Sequence, residues 1–229
     1  MNGCDFHLAG ATLTVLPSGA LWWRQRRLLC VSDLHLGKSE RMARRGGALL
    51  PPYETVDTLS RLEADLAATG PAIVVCLGDS FDDLDAARAL AAPLQDRLAT
   101  LSAGRRWIWI EGNHDAGPVD LPGTHLKTLR EGALTFRHIC QQGARGEVSG
   151  HYHPKARLVA RGRGMSRPCV LTDGVRAILP AYGTYTGGLS AEAAELSALM
   201  GPGARAILIG DPPITMPMPR GRPLDAAGA

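Results

Sequence analysis

The sequence has no apolar stretch that approaches the roughly 20 residues of a membrane-spanning helix. Its N-terminal segment also lacks the pattern of a signal peptide, because Asp5 and His7 stand where Lys or Arg would precede an apolar run. A strong charge bias is missing as well, since 25 basic and 22 acidic residues leave a net charge of +3, which by itself indicates no partner. We therefore expect a cytoplasmic protein without a membrane segment.

Cysteine pairs at metal-binding or redox spacing are absent too. The five cysteines are scattered, and Cys30 and Cys76 lie inside apolar runs that are typical of a core. This usage excludes a disulfide framework and favours a reducing compartment. The 229 residues suit one domain, which we place at 1–211. Residues 212–229 are rich in Pro and end in Asp-Ala-Ala-Gly-Ala, so we predict a disordered tail there.

Three apolar runs with the composition of buried strands each end in a polar cluster. The runs at 28–32, 72–77 and 106–110 lead into Asp33-Leu34-His35, into Gly78-Asp79 and into Glu111-Gly112-Asn113-His114-Asp115. Helical patterns at about 52–69 and 84–101 separate these runs. The alternation predicts βαβ units in an α/β fold, a parallel sheet, and a site at the carboxyl ends of its strands.

The two predicted helices carry details that a structure can check. Val56, Leu59, Leu62 and Leu66 form the apolar stripe of the first helix, and we expect all four in the core. Pro93 should bend or split the second helix. After Asp115 the pattern changes to short strand-like pieces, which predict a second and more antiparallel sheet, closed by a helix at about 190–200 and a strand at 204–209.

The polar clusters supply candidate ligands for divalent metal ions. Asp33 and His35 are two residues apart, so in an extended chain both side chains point the same way. The full set combines carboxylates, imidazoles and one amide: Asp33, His35, Asp79, Asn113, His138, His151 and His153. Such a set suits Mn, Fe or Zn better than Mg or Ca. Seven candidates exceed what one ion needs, whereas two ions bridged by one carboxylate would use them all, as in centres that hydrolyse phosphate esters.

Taken in order, these motifs resemble the calcineurin-like metallophosphoesterase superfamily. The matching residues are Asp33-x-His35, Gly78-Asp79, Gly112-Asn113-His114-Asp115, His138 and Gly150-His151-x-His153. The chain as a whole more narrowly resembles the bacterial ligase-associated DNA-damage-response endonuclease family called PdeM, on the stretches that begin at His7, Ala20, Asp33 and Leu179. The resemblance implies a four-layer α-β-β-α sandwich with two mixed sheets. It also implies a functional link to a DNA ligase and a helicase.

The resemblance also implies a role for each position. Asp33, His35 and His153 would hold the first ion, Asn113, His138 and His151 would hold the second, and Asp79 would bridge them. His114 would face the leaving group as a general acid or electrostatic stabiliser, and Asp115 would orient its ring.

Three assignments in this region have alternatives. His125 is the alternative to His138, which we favour because of its position at a strand end. Asp82 and Asp83 follow the second motif and either support a ligand or cap the next helix, and we favour the cap because Asp is common there.

The residues alone do not select a substrate. Basic segments at 38–45 and 155–167 follow the first and last motifs, and each is either a border of the substrate site or a solvated surface. Our leading hypothesis is a Mn-dependent phosphodiesterase or nuclease that acts on DNA in repair. The alternatives are a phosphodiesterase or phosphatase for small nucleotides, and a non-catalytic scaffold, which the complete ligand set disfavours.

Overall fold

Two mixed β-sheets form the centre of the protein. In a computed structural model, residues 2–47, 49–117, 120–160 and 163–221 are described, and within them 15 strands divide into one seven-stranded and one eight-stranded sheet. The two mixed sheets expected from the family resemblance are therefore confirmed.

The first sheet follows the chain in order, from β1 to β7. Its strands are β1 Cys4–Leu8, β2 Ala11–Val15, β3 Leu21–Trp23, β4 Leu28–Val31, β5 Ile73–Leu77, β6 Arg106–Ile110 and β7 Thr124–Leu126. The first three pairings are antiparallel and the last three are parallel. Parallel neighbours need crossover connections. The helices α1 Lys38–Arg44 and α2 Glu54–Thr69 connect β4 to β5, and the helices α3 Leu84–Arg88 and α4 Ala92–Ser102 connect β5 to β6. The carboxyl ends of β4, β5 and β6 therefore lie at one edge.

The second sheet comes from the later half of the chain. Its strands are β8 Thr128–Glu131, β9 Leu134–Arg137, β10 Glu147–Ser149, β11 Lys155–Ala160, β12 Arg163–Thr172, β13 Arg176–Ile178, β14 Arg205–Leu208 and β15 Ile214–Pro217. Their order is β15-β14-β12-β13-β10-β9-β8, with β11 paired to β12. Only the β9–β10 and β10–β13 pairings are parallel among those described, as expected for a more antiparallel half. One helix, α5 Ala194–Leu199, packs with this sheet.

Three apolar clusters define the order of the layers. Side chains from both sheets, including Val75 and Phe136, fill the space between the sheets. The opposite face of the first sheet, with Val74 among its members, packs on Leu59 and the other helical residues. The outer face of the second sheet packs on Leu196 of α5. The layers therefore run helices, sheet, sheet, helix, which is the predicted four-layer arrangement.

The helical prediction at 84–101 needs one refinement. The segment is two helices, α3 and α4, and Pro93 lies in the first turn of α4. The prediction that Pro93 splits this helix is confirmed, because proline has no amide hydrogen to donate but is tolerated in a first turn.

The prediction of a disordered tail from residue 212 is wrong for part of the segment. Strand β15 pairs antiparallel with β14, with Thr215 opposite Ile207. Short strands that contain proline are tolerated at a sheet edge, where one side of the strand has no partner. Residues 222–229 lie outside the described residues, and the single-domain organisation stays a prediction.

All five cysteines are free, and four of them are buried. Burial raises the pKa of Cys169 to about 12 and that of Cys140 to about 11. These two thiols therefore stay protonated at neutral pH and pack as small apolar groups. Separately, no helix in the described part of the chain has both the length and the apolarity to cross a bilayer.

The predicted apolar stripe on α2 is wrong at one of its four positions. Leu59, Leu62 and Leu66 are buried, but Val56 is 46% exposed, and Thr55 and Thr58 complete the buried face. The buried face is rotated because Thr55 and Thr58 accept hydrogen bonds from the Gly37 and Thr184 amides.

This difference gives a matched pair of substitutions. Leu59→Ala should lower the free energy of unfolding by about 2–5 kcal/mol, because it leaves a cavity among fully buried neighbours. Val56→Ala should change it by less than about 1 kcal/mol, because the side chain is half in water. Urea unfolding of both variants measures the difference. Equal losses would mean that α2 packs on another face.

Candidate metal centre

The candidate ligands lie on loops that follow strands of both sheets. Asp33 and His35 follow β4, Asp79 follows β5 and Asn113 follows β6, all in the first sheet. His138 follows β9, and His151 and His153 follow β10, in the second sheet. The structure therefore brings together, at the carboxyl ends of these five strands, all seven residues that the sequence singled out.

The first cluster contains Asp33, His35 and His153. Each offers one ligand atom, and the three atoms lie within 4.8 Å of one another. Asp33 Oδ1 is 3.1 Å from His153 Nε2. Asp33 Oδ1, His35 Nε2 and His153 Nε2 are all buried and make no hydrogen bond. Buried polar atoms are almost always satisfied, so this convergence of orphaned oxygen and nitrogen atoms fits a divalent cation.

The second cluster contains Asp79, His138 and His151, again with ligand atoms within 4.8 Å. His138 Nε2 lies 3.3 Å from Asp79 Oδ2, 2.9 Å from Asn113 Oδ1 and 3.2 Å from His151 Nδ1. His138 Nδ1 lies 3.8 Å from Asp33 Oδ1, so the two clusters are adjacent. The assignment of each residue to one ion, and of Asp79 as the bridge, stays a prediction.

His125, the alternative to His138, lies elsewhere. Its ring stacks on Trp109 with centroids 6.4 Å apart. It belongs to none of the ligand clusters found among the described residues, the third of which joins His35, Asp82 and His114. The geometry therefore favours His138.

The charges inside the site depend on one another. Burial opposes ionisation of Asp79, but His138 and the His114 backbone amide outweigh it and hold the pKa of Asp79 well below its usual range. Burial likewise opposes protonation of His138, but Asp79 and Asp33 together raise its pKa. Burial and the neighbouring His138 lower the pKa of His151. The carboxylate of Asp79 is therefore charged at neutral pH and available as a ligand.

The backbone of the site differs from the expected extended strand. Five candidate ligands have positive φ: Asp33 at 52°, His35 at 46°, Asp79 at 43°, His151 at 70° and His153 at 46°. The expectation of an extended chain at Asp33 and His35 is wrong, because β4 ends at Val31 and both residues have positive φ. Their side chains nevertheless contribute to the same cluster, as the sequence predicted. Such conformations cost energy in residues other than glycine and cluster at functional sites.

Two motif glycines allow the loops to approach one another. A methyl group at Gly78 would overlap the ring of His138, and one at Gly150 would overlap Ser32 and Asp33. The glycines of the second and last motifs are therefore required because the two sheets meet here with no room for a Cβ.

Asp82 has a different role from the predicted helix cap. It is fully buried, and its carboxylate is 2.9 Å from His35 Nδ1 and 2.6 Å from Arg41 Nη1. These contacts hold the pKa of Asp82 at about 2, against the effect of burial. Asp83 is the cap of α3, because its side chain accepts from the Ala86 amide at 2.7 Å. Asp82 thus orients the ring of His35 and leaves Nε2 for the first cluster. The signal available in the sequence was its place three residues after Asp79.

The resemblance implied that Asp115 orients the ring of His114, but the contacts of Asp115 are different. Its carboxylate accepts from the backbone amides of Ser80, Phe81 and Gly112, at 2.7, 3.2 and 3.0 Å. The ring of His114 instead contacts the Asp82 carbonyl, 2.8 Å from Nδ1. Asp115 therefore ties the loop after β5 to the loop after β6, because its two oxygens accept from amides of both loops.

The segment that begins at Leu179 supports the first cluster. The amides of Tyr182 and Gly183 donate to the carbonyls of Ser32 and Asp33, at 2.7 and 3.1 Å. Tyr182 is buried and its hydroxyl donates to Asp65 of α2 at 2.9 Å. The resemblance in this stretch thus has a structural basis, since it anchors the loop of Asp33 to α2.

The two basic segments behave differently. In α1, Arg41 and Arg44 pair with Asp82 and Asp83, at 2.6 and 3.0 Å, so these cations face acidic neighbours rather than a substrate. The second segment forms the β11–β12 hairpin, where Lys155 Nζ donates to the Thr186 carbonyl. Arg161 lies outside the described residues. The choice between a substrate border and a solvated surface stays open for this hairpin.

The contact between Asp82 and His35 can be tested through metal affinity. Asp82→Asn should lower the affinity for Mn²⁺ by about 10- to 100-fold, which is the usual cost of removing an outer partner of a histidine ligand. Asp85→Asn is the control, because Asp85 is 66% exposed and lies outside the ligand clusters. Isothermal titration of Mn²⁺ into both folded variants measures the effect. Equal affinities would show that His35 does not need Asp82.

Comparison with known proteins gives a family and similar solved structures. The calcineurin-like phosphoesterase family matches residues 26–184. Among solved structures, a Pseudomonas putida nuclease called MPE is 30% identical, with a TM-score of 0.70 over 93% of this chain and 100% of that one. Yfce, a phosphoesterase from E. coli, is 17% identical, with a TM-score of 0.41 over 84% of this chain and 99% of that one. No curated protein matches.

The family match spans more than half of the chain and includes every candidate ligand. The expected hydrolase activity on phosphate esters agrees with it, and the family normally uses two divalent metals. The chain belongs to the calcineurin-like phosphoesterase family.

Proposed function

We propose that this protein is a Mn-dependent phosphodiesterase that cleaves DNA as an endonuclease in DNA repair in the cytoplasm. The observation that carries the proposal is the convergence of two adjacent ligand clusters, the first of which contains three buried atoms without a hydrogen-bond partner. The 30% identity to a nuclease over 93% of the chain supports a nucleic-acid substrate. The link to a DNA ligase and a helicase stays a prediction from the resemblance.

The ligand set would hold two divalent ions, with Mn expected first and Fe or Zn as alternatives. When bound, such ions supply a water of lowered pKa and neutralise charge on phosphoryl oxygens. The residues of this chain supply the rest: Asp33, Asp79 and the histidines fix the centre, and Asp82 orients His35 from outside it.

His114 is the residue best placed to act on the leaving group. Its Nδ1 lies 2.8 Å from the Asp82 carbonyl, which can only accept, so Nδ1 carries a hydrogen and Nε2 is the nitrogen left to face the substrate. The ring of His114 lies 5.1 Å from that of His35, centroid to centroid. A protonated Nε2 would donate to the departing oxygen as the phosphorus–oxygen bond breaks.

A panel of metals and substrates tests the proposed function. With Mn²⁺, the purified chain should cleave single- or double-stranded DNA internally as well as bis(p-nitrophenyl) phosphate. Asp79→Asn should lose metal and activity together, because the change removes a charged ligand. Turnover of mononucleotides or cyclic nucleotides without DNA cleavage would favour the small-molecule alternative. Full metal content and full activity in Asp79→Asn would contradict the place of Asp79 in the centre.

His114→Ala should separate chemistry from metal binding. We expect DNA cleavage to slow by about 10²- to 10⁴-fold while metal content is unchanged, because a general acid is removed and no ligand is lost. Hydrolysis of bis(p-nitrophenyl) phosphate should slow much less, because nitrophenolate departs without a proton. An equal loss on both substrates would assign His114 to electrostatic stabilisation instead.

A further inference from the structure

A cavity of about 300 Å³ lies beside the second cluster. Asn113 and His138 form one part of its wall, so it opens directly onto the candidate metal centre. The charged residues of the wall are Glu111, Lys127 and Arg137. Because the wall has two cationic side chains and one carboxylate, its charge favours the binding of an anion.

Arg137 is held in place by a buried acid. Its Nε lies 2.9 Å from Oε2 of Glu147, whose side chain is 1% exposed. The other oxygen of Glu147 accepts from the Gln141 amide at 3.0 Å. Within the described residues, Arg137 has no other ion pair and no side-chain hydrogen bond, so its two terminal nitrogens are available. A guanidinium fixed at Nε presents a planar pair of donors that matches a phosphate.

Lys127 supplies the second cation. It lies between β7 and β8, is exposed, and has no acidic partner within 4 Å in the described ranges. Thr128 and Gln141, also in the wall, add polar groups without charge. The cavity therefore combines one fixed and one flexible cation beside a centre suited to phosphate esters.

We propose that this cavity binds a second phosphate of a polynucleotide, next to the phosphodiester that is cleaved. The inference rests on the proposed function, because it presumes a phosphodiester in the adjacent centre. A nucleotide with a single phosphate fills only that centre, whereas a strand places a neighbouring phosphate within reach of Lys127 and Arg137. The cavity thereby selects polymers over monomers, and Glu147 acts as the positioning residue of Arg137.

Two substrates separate this role from chemistry at the centre. Thymidine 5′-(p-nitrophenyl phosphate) carries one phosphodiester and no neighbouring phosphate, and an oligothymidylate carries many. Lys127→Ala and Arg137→Ala should each lower kcat/KM for the oligomer by about 10-fold, the scale of one charged hydrogen bond. Both variants should keep kcat/KM for the nitrophenyl diester within about 2-fold of the wild-type value. Each should also flatten the salt dependence of oligomer binding by about 0.7 in logarithmic slope.

Controls address charge and folding. Arg24→Ala removes one exposed cation near the opposite, amino-terminal end of β4. It should change neither kcat/KM for either substrate nor the slope of the salt dependence. Because Arg137→Ala leaves Glu147 buried and unpaired, the double variant Arg137→Ala with Glu147→Gln keeps the test independent of stability. Arg137→Lys should recover only part of the oligomer activity, because it restores the charge without the planar pair of donors.

The outcomes distinguish the two proposals. If wild type cleaves the oligomer but the cavity variants lose activity equally on both substrates, or lose none, the cavity proposal is overturned and the nuclease function stands. If wild type hydrolyses only the nitrophenyl diester, both proposals fail. Selective loss on the oligomer, with an unchanged Arg24→Ala control, supports the cavity as a phosphate site.

Discussion

The carboxylate of Asp33 joins the two sheets at a single buried point. One of its oxygens accepts from the His151 amide at 3.0 Å and from Ser32 Oγ, and the other lies 3.1 Å from His153 Nε2. Its backbone contacts Gly78 from the β5 loop and Gly183 from the anchoring segment. A carboxylate without solvent must be satisfied by such contacts or by a cation. The relative position of the sheets and the first cluster thus depend on the same residue.

The backbone around Asp33 adopts strained conformations that position the ligand side chains. Five candidate ligands are in the left-handed region, at a cost of about 1–3 kcal/mol each. That cost persists only where the surroundings fix the conformation, and here the fixing contacts are backbone hydrogen bonds between loops, such as His35 N to the Asp79 carbonyl at 2.9 Å. A site built this way holds its side chains before any ligand arrives.

The arginines near the site have two different roles. In α1 the arginines neutralise Asp82 and Asp83, and this pairing fixes His35. On the other side, Arg137 is fixed by Glu147 but keeps its terminal nitrogens for the adjacent cavity. The same residue type therefore acts once as a structural partner of an acid and, in our proposal, once as a group presented to an anion. Only the position of the nearest carboxylates distinguishes the two.

Local chemistry in the sequence was enough to predict the parallel strands β4, β5 and β6, the split at Pro93 and the identity of the seven clustered residues, because apolar runs and polar ends report burial and strand termini directly. The strand-like pieces after Asp115 were all expected in the second sheet, but β7 pairs with β6 in the first. The left-handed turns at Asp33 and His35, the support of His35 by Asp82, and the bracing of two loops by Asp115 were decided by tertiary structure. So were the exposure of Val56 and the pairing of β15. Each depends on which distant segment lies alongside, and spacing along one chain carries no information about contacts made across two sheets.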